Sequence, residues 1–252
     1  MSITLETIVS SLDDARVSAA AGSDRFELCS ALALGGLTPS LGLLQSIKQE
    51  CDVPVMAMLR PREGGMCYTE KEFDVIRRDA ELFIENGAEG LVFGFLHEDG
   101  RINMDRCRTL QAMAENADRE IQTVFHRAFD VVVNPDESLE QLVELGITRI
   151  LTSGRETTAV EGAPEIKRMV QAAGKRIQIL PGGGLDKDNV AEIVAATGVD
   201  QVHLYLTKIS KDTSVLENPK IYFGAHVATN ESDIRVKCGD LVRSVRQTLD
   251  SI

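Results

Sequence analysis

Short apolar segments rich in Val, Ile and Leu alternate with longer charged segments of helical period along the whole chain, and this alternation constrains the fold more than any other feature. The apolar segments cover residues 3–9, 25–29, 53–59, 90–96, 121–128, 149–153, 177–180 and 201–204, and each predicts a strand. The helical periods cover 12–21, 41–50, 70–86, 104–116, 136–145, 164–173, 188–196 and 233–251. Eight pairs in 252 residues give about 31 residues per unit, the size of one βα repeat. Gly22, Gly87, Gly146, Gly174 and Gly198 each follow a helical run and precede a strand, as helix-terminating glycines do.

Eight alternating units predict an α/β chain folded as a (β/α)₈ TIM barrel; a doubly wound open sheet is the alternative. No Pro/Ser-rich linker or charge block divides the chain, so residues 1–252 read as one domain with an irregular segment around 205–232. In a barrel, chemistry belongs at the C-terminal ends of the strands and in the loops after them.

Composition narrows the partners. Net charge is −12, the wrong sign for displacing counterions from nucleic acid or for binding anionic membranes. No apolar run reaches the length of a membrane span, and Glu6 interrupts the only candidate for an export leader. Five widely spaced cysteines without a CxxC pair fit reduced thiols in the cytoplasm.

The strand ends carry the chemistry. In the second strand Phe26 and Leu28 share the helix-facing side, leaving Glu27 and Cys29 directed inward. Glu27 is either one half of an Arg–carboxylate pair in a polar layer or a group that meets a ligand. Met56, Met58 and Arg60 share one face of the third strand, so Arg60 faces the mouth if the methionines fill the core; as thioethers they are also soft copper(I) ligands. The fifth strand ends in Phe125-His126-Arg127-Ala128-Phe129-Asp130, where His126 can move a proton, Arg127 can hold an anion and Asp130 can orient either. Thr152-Ser153-Gly154 follows the sixth strand. Pro181-Gly182-Gly183-Gly184 follows the seventh and makes either a tight turn or an anion cradle of backbone N–H groups at a helix start. His203 differs in parity from Val202 and Leu204 and faces the mouth.

These motifs together resemble the CutC family of copper homeostasis proteins. The likeness rests on Glu27-Leu28-Cys29-Ser30, Gly35-Gly36-Leu37-Thr38-Pro39-Ser40, Arg60-Pro61-Arg62 with Cys67-Tyr68, the His126 motif, Ile150-Leu151-Thr152-Ser153-Gly154 and Gly182-Gly183-Gly184. The resemblance implies a cytoplasmic (β/α)₈ barrel, a homodimer or higher oligomer, and a link to copper without an assigned reaction. It places Glu27, Arg60, Arg62, His126, Arg127, Asp130, Ser153 and His203 around the pocket. Departures fall at Leu204-Tyr205-Leu206, in the stretch 207–232, and at Glu63 before Gly64-Gly65.

Two functions follow as expectations. In copper binding, Cys29 is the candidate ligand, with Cys67 as the other thiol near the mouth. Cys51 lies at the opposite end of its barrel strand, and Cys107 and Cys238 lie on helices. In the alternative, an enzyme or sensor for a small anionic metabolite, phosphorylated or not, Arg60, Arg62, Arg127, Ser153, Gly154, Gly182, Gly183, Gly184 and His203 bind the ligand. Glu27, His126 and Asp130 then move the proton. No resident cofactor is expected beyond copper(I). The three arginines outnumber Glu27 and Asp130 by one, so an acidic chain keeps a slightly basic mouth.

Overall fold

The computed structural model describes residues 2–218, 220–223 and 231–252. Its strands β1 (Thr4–Val9), β2 (Arg25–Leu28), β3 (Val55–Met58), β4 (Gly90–Phe93), β5 (Gln122–Phe125), β6 (Arg149–Thr152), β7 (Gln178–Pro181) and β8 (Gln201–Leu204) form one parallel sheet, in the order β7-β6-β5-β4-β3-β2-β1-β8. A parallel bridge between Gly182 and His203 joins the two ends and closes the barrel. The open-sheet alternative is thereby excluded.

Helices α1 (Leu12–Ala20), α2 (Leu41–Glu50), α3 (Glu70–Glu85), α4 (Met104–Glu115), α5 (Pro135–Glu144), α6 (Ala163–Ala173) and α7 (Val190–Thr197) each follow one strand. Their starts are written in the sequence. Ser11 and Ser40 accept from backbone N–H groups of the first turn, and Thr69 with Glu72 forms a reciprocal capping box. In α3, Phe73, Ile76, Ala80 and Phe83 recur at helical spacing and face the sheet. Burying each large side chain there contributes about 1.5–3 kcal/mol. Four of the predicted terminating glycines end their helices at φ between 73° and 95°; Gly174 also caps its helix, at φ 57° and ψ −119°, outside the left-handed helical region.

The observed elements are shorter than the apolar runs at several ends, for local reasons. β5 stops at Phe125 because the Ala128 N–H donates to His126 Nδ1, turning 127–131 into a tight helical turn. α7 begins at Val190, after the Asp186 carboxylate has accepted the N–H groups of Asp188 and Asn189. The largest difference lies near the C-terminus. Residues 233–251 read as a single helix, but Asp233–Lys237 is strand β10, paired antiparallel with β9 (Thr207–Lys211), and helix α8 spans Gly239–Asp250. The remainder of 207–232 lies partly outside the described residues.

The sheet divides the apolar side chains into two populations. Outside it, Phe26, Leu28, Phe93, Phe125 and Ile150 pack with the helices. Inside, Cys29, Met56, Met58, Val92, Val124, Leu151 and Leu180 fill the barrel. Toward its N-terminal end the interior is polar: Arg25 reaches Gln201, Gln201 reaches Gln178, and Arg149 bonds to both Gln178 and Gln122. No helix among the described residues is long and apolar enough to cross a membrane.

Candidate functional site

A cavity of about 510 Å³ opens at the C-terminal end of the barrel. Its polar lining comprises Glu27, Cys29, Arg60, His126, Arg127 and His203; Ile8, Leu32, Met58, Met66, Leu151 and Leu185 supply apolar wall, and Tyr205 borders it.

Two buried carboxylates and a histidine converge at one side. His203 Nδ1 lies 2.7 Å from Glu6 Oε1, and its Nε2 lies 3.6 Å from Glu27 Oε2. The other Glu6 oxygen is paired with Arg25. Burial opposes ionisation of Glu6, but Arg25 and His203 override it and hold its carboxyl well below the usual range. Glu27 is different: burial pushes its pKa up, and His203 only partly offsets this. Burial disfavours the His203 cation, yet Glu27 and Glu6 carry its pKa above the ordinary imidazole value. Glu27 and His203 are thus an electrostatically linked pair beside the cavity, and Glu6 fixes the imidazole ring between the two carboxylates.

These three residues are also the one group of metal-capable ligands among the described residues, with donor atoms within 4.8 Å of one another. Both Glu6 oxygens are already engaged, and Arg25 supplies the balancing charge, so a cation gains little there. The donors are oxygen and imidazole nitrogen, poorly matched to copper(I). Cys29 Sγ donates to Glu27 Oε2 at 3.3 Å, and burial followed by the Glu27 charge pushes its thiol well above the usual range. A protonated Cys29 is not a ready metal ligand.

Arg60 is 7% exposed. Nη1 donates to the carbonyls of Leu34 and Gly36 at 2.9 and 3.0 Å, and Nη2 to Gly64 at 2.9 Å. Its Nε has no partner, and no carboxylate among the described residues pairs with it. Gly35, at φ 87°, gives it room, since a Cβ there would sit 3.1 Å from Nη1. His126 occupies the space that a side chain at Gly94 would fill. Its Nδ1 accepts the Ala128 N–H at 3.1 Å, so the neutral ring carries its proton on Nε2, which is buried and unpartnered. Burial, reinforced by Arg60, pushes its pKa down to about 3.

A ring held in this way is placed to donate a hydrogen bond from Nε2 rather than to accept one at Nδ1. Its lowered pKa also predicts an acid limb in stability. The unfolded imidazole protonates near 6.5 and the folded one near 3, so between these values the unfolded state binds the extra proton and stability falls as pH is lowered. Glu27, with its raised pKa, works in the opposite direction over part of that window, so the difference between variants is the informative quantity. Urea titrations from pH 6.5 to 4.5 should give a slope smaller by about 1.4 kcal/mol per pH unit in His126→Phe than in the parent chain. Equal slopes would show that His126 ionises in the folded state.

The remaining predicted residues divide. Gly183 and Gly184 line the cavity, and a Cβ at Gly183 would come within 3.3 Å of Arg127 Nη1. Arg127 is half-exposed, held by Asp130 at 2.7 Å and Ser153 Oγ at 2.6 Å. Asp130 lies outside the cavity. Its oxygens also accept from Thr152 Oγ1 at 2.5 Å, Ser153 N at 3.1 Å and Arg155 N at 3.2 Å, so it positions Arg127 and has no free acceptor for a ligand's proton. Arg62 is outside as well, spent on Glu72 and on the carbonyls of Glu63, Gly65 and Cys67. Ser153, Gly154 and Gly182 shape the wall from behind: Gly154 passes against Gly162, and Gly182 makes room for Leu151 and His203. Glu6 and Arg25 were absent from the expected site. An acidic residue at an inward parity position of an otherwise apolar strand was the available signal.

The family model of the CutC family matches residues 3–208. The chain belongs to the CutC family. A CutC family protein of Treponema denticola is 47% identical over 98% of this chain and 99% of its own length. The human copper homeostasis protein cutC homolog is 38% identical over 98% of this chain and 89% of its own. A solved CutC structure from Streptococcus agalactiae is 34% identical and superposes with a TM-score of 0.75, covering 80% of this chain and 97% of that one. Membership carries a nominal copper homeostasis role, and this member's cavity opens at the C-terminal ends of the barrel strands.

Proposed function

We propose that this CutC family member binds a small anionic metabolite in the mouth of its barrel and moves a proton on it. Arg60 carries this reading. A buried guanidinium without a carboxylate partner is costly, and the cavity it lines is where a compensating anion fits. Arg127, with Gly183 and Gly184 beside it, offers a second cationic contact, while Glu27 and His203 form the proton couple. The unpaired state of all five thiols supports a cytoplasmic setting. The reading includes a homo-oligomer, with a dimer first, which sedimentation velocity reads directly.

One observation favours a second reading, copper(I) binding. Cys29, Met58 and Met66 place three sulfur atoms in the lining of the same cavity, and soft sulfur suits that ion. Native mass spectrometry with elemental analysis of the purified chain separates the two. A small anion retained by the parent and lost in Arg60→Met is the expected result. Stoichiometric copper that disappears in Cys29→Ser would replace the anion reading with the metal one.

A further inference from the structure

The cavity presents four kinds of surface, each suited to a different part of a ligand. Arg60 offers an unpaired positive charge. His126 lines the cavity with its Nδ1 committed to the Ala128 N–H, and its Nε2 is buried at the cavity wall with no partner among the described residues. Glu27 offers a proton acceptor, with His203 Nε2 3.6 Å away to balance its charge. Met58, Leu151, Leu185 and Ile8 offer apolar wall. A buried, neutral imidazole donor is unsuited to removing protons and well suited to polarising a carbonyl, because charge developing on oxygen meets a donor that needs no reorganisation.

We infer that the metabolite is a short 2-oxo acid with an apolar side chain, and that Glu27 removes and returns a proton at the carbon beside its carbonyl. This rests on the anion reading above. The carboxylate meets Arg60, the carbonyl oxygen meets His126, and the side chain meets the apolar wall. In the step, the C3–H bond breaks and its electron pair forms the C2–C3 double bond. The carbonyl π pair moves to oxygen, where the His126 N–H receives it, and the proton goes to the Glu27 carboxylate. Return of a proton to C3 restores the oxo acid, so no co-reactant is consumed. His203 stands between Glu27 and Glu6, and Glu6 is a positioning residue because it holds the imidazole without touching the ligand.

The test is deuterium wash-in. The full chain in deuterated buffer is mixed with 2-oxobutyrate, 2-oxoisovalerate or 4-methyl-2-oxopentanoate, and the C3 proton signal is followed by NMR against a protein-free control. Loss of that signal well above the control rate is expected for at least one acid. Glu27→Gln should slow it about 100-fold or more. His126→Phe should slow it about 100-fold with binding retained, a split that mere structural support would not give. Binding is followed separately by line broadening and should vanish in Arg60→Met. Binding that depends on Arg60 but brings no wash-in overturns the inference and leaves the anion reading standing. Absence of binding by all three acids also overturns it, and the anion retained in native mass spectrometry then decides the broader reading on its own.

Discussion

Glu6→Ala is expected to destabilise the folded chain by about 3–5 kcal/mol, seen as a large fall in the urea midpoint at unchanged slope. Glu6 is 2% exposed and serves two buried groups at once, Arg25 on one oxygen and His203 Nδ1 on the other. Removing it leaves the guanidinium facing only Gln201 and lets the imidazole turn away from Glu27. Glu6→Gln keeps the shape and one acceptor, so it should lose less. Pairing it with Arg25→Met removes the orphaned charge and should recover part of the loss, because an apolar replacement of a buried ion pair is often tolerated. The pH dependence has a definite sign. Glu6 titrates below its unfolded value of 4.5, so its stabilisation is complete above that pH and is lost as acid protonates it. A loss below 1 kcal/mol in Glu6→Ala would mean that water reaches Arg25 and His203 in the folded barrel.

Gly162→Ala is expected to be the most disruptive small substitution on the barrel's upper rim, costing about 3 kcal/mol or more. A Cβ at this position would lie 1.9 Å from the Ser153 carbonyl oxygen and 2.8 Å from the Gly154 Cα. Both are backbone atoms that no side-chain rotation can clear. The conformation itself is ordinary, φ −82° at the residue before α6, so the effect is steric rather than torsional. Displacing Ser153 also disturbs Asp130 and, through it, Arg127, so anion affinity should fall along with thermal stability. Gly42→Ala is the matching control. Nothing lies within 4 Å of its added methyl, and in the first turn of α2 the substitution should stabilise by about 0.5 kcal/mol. Similar stabilities for the two variants would show that the Ser153–Gly154 segment is free to move.

The period of the apolar segments made the barrel legible, and parity made its interior so. Phe26 and Leu28 face the helices while Glu27 and Cys29 face inward, and Met56, Met58 and Arg60 fall on the inner side of β3. The partners of a polar side chain were not legible, because they come from other strands and loops. Arg60 and Arg62 are two residues apart in a strand-end motif, yet one lines the cavity and the other is consumed by Glu72. His126 and Asp130 looked like an acid–base pair by proximity. Local geometry instead assigned Asp130 to a hub of backbone and hydroxyl donors and locked His126 in its neutral tautomer. The Glu6–His203 contact spans 197 positions and closes only because β8 returns beside β1. Residues 233–237 carry too little apolar period to separate a strand from the first turns of a helix, and pairing with β9 decides it.

The division of the apolar side chains by the sheet bears on how such a protein can change over generations. Met58, Leu151 and Leu180 belong to a population that does not mix with Phe93, Phe125 and Ile150 across the barrel wall. Exchanging Met58 or Leu151, which line the cavity, for a residue of similar volume changes the shape of its wall while leaving the seam between strands and helices intact. A lineage can therefore reshape that wall in single steps at little cost to folding, whereas Glu6, Arg25 and Gly162 are positions at which the first step is already too far.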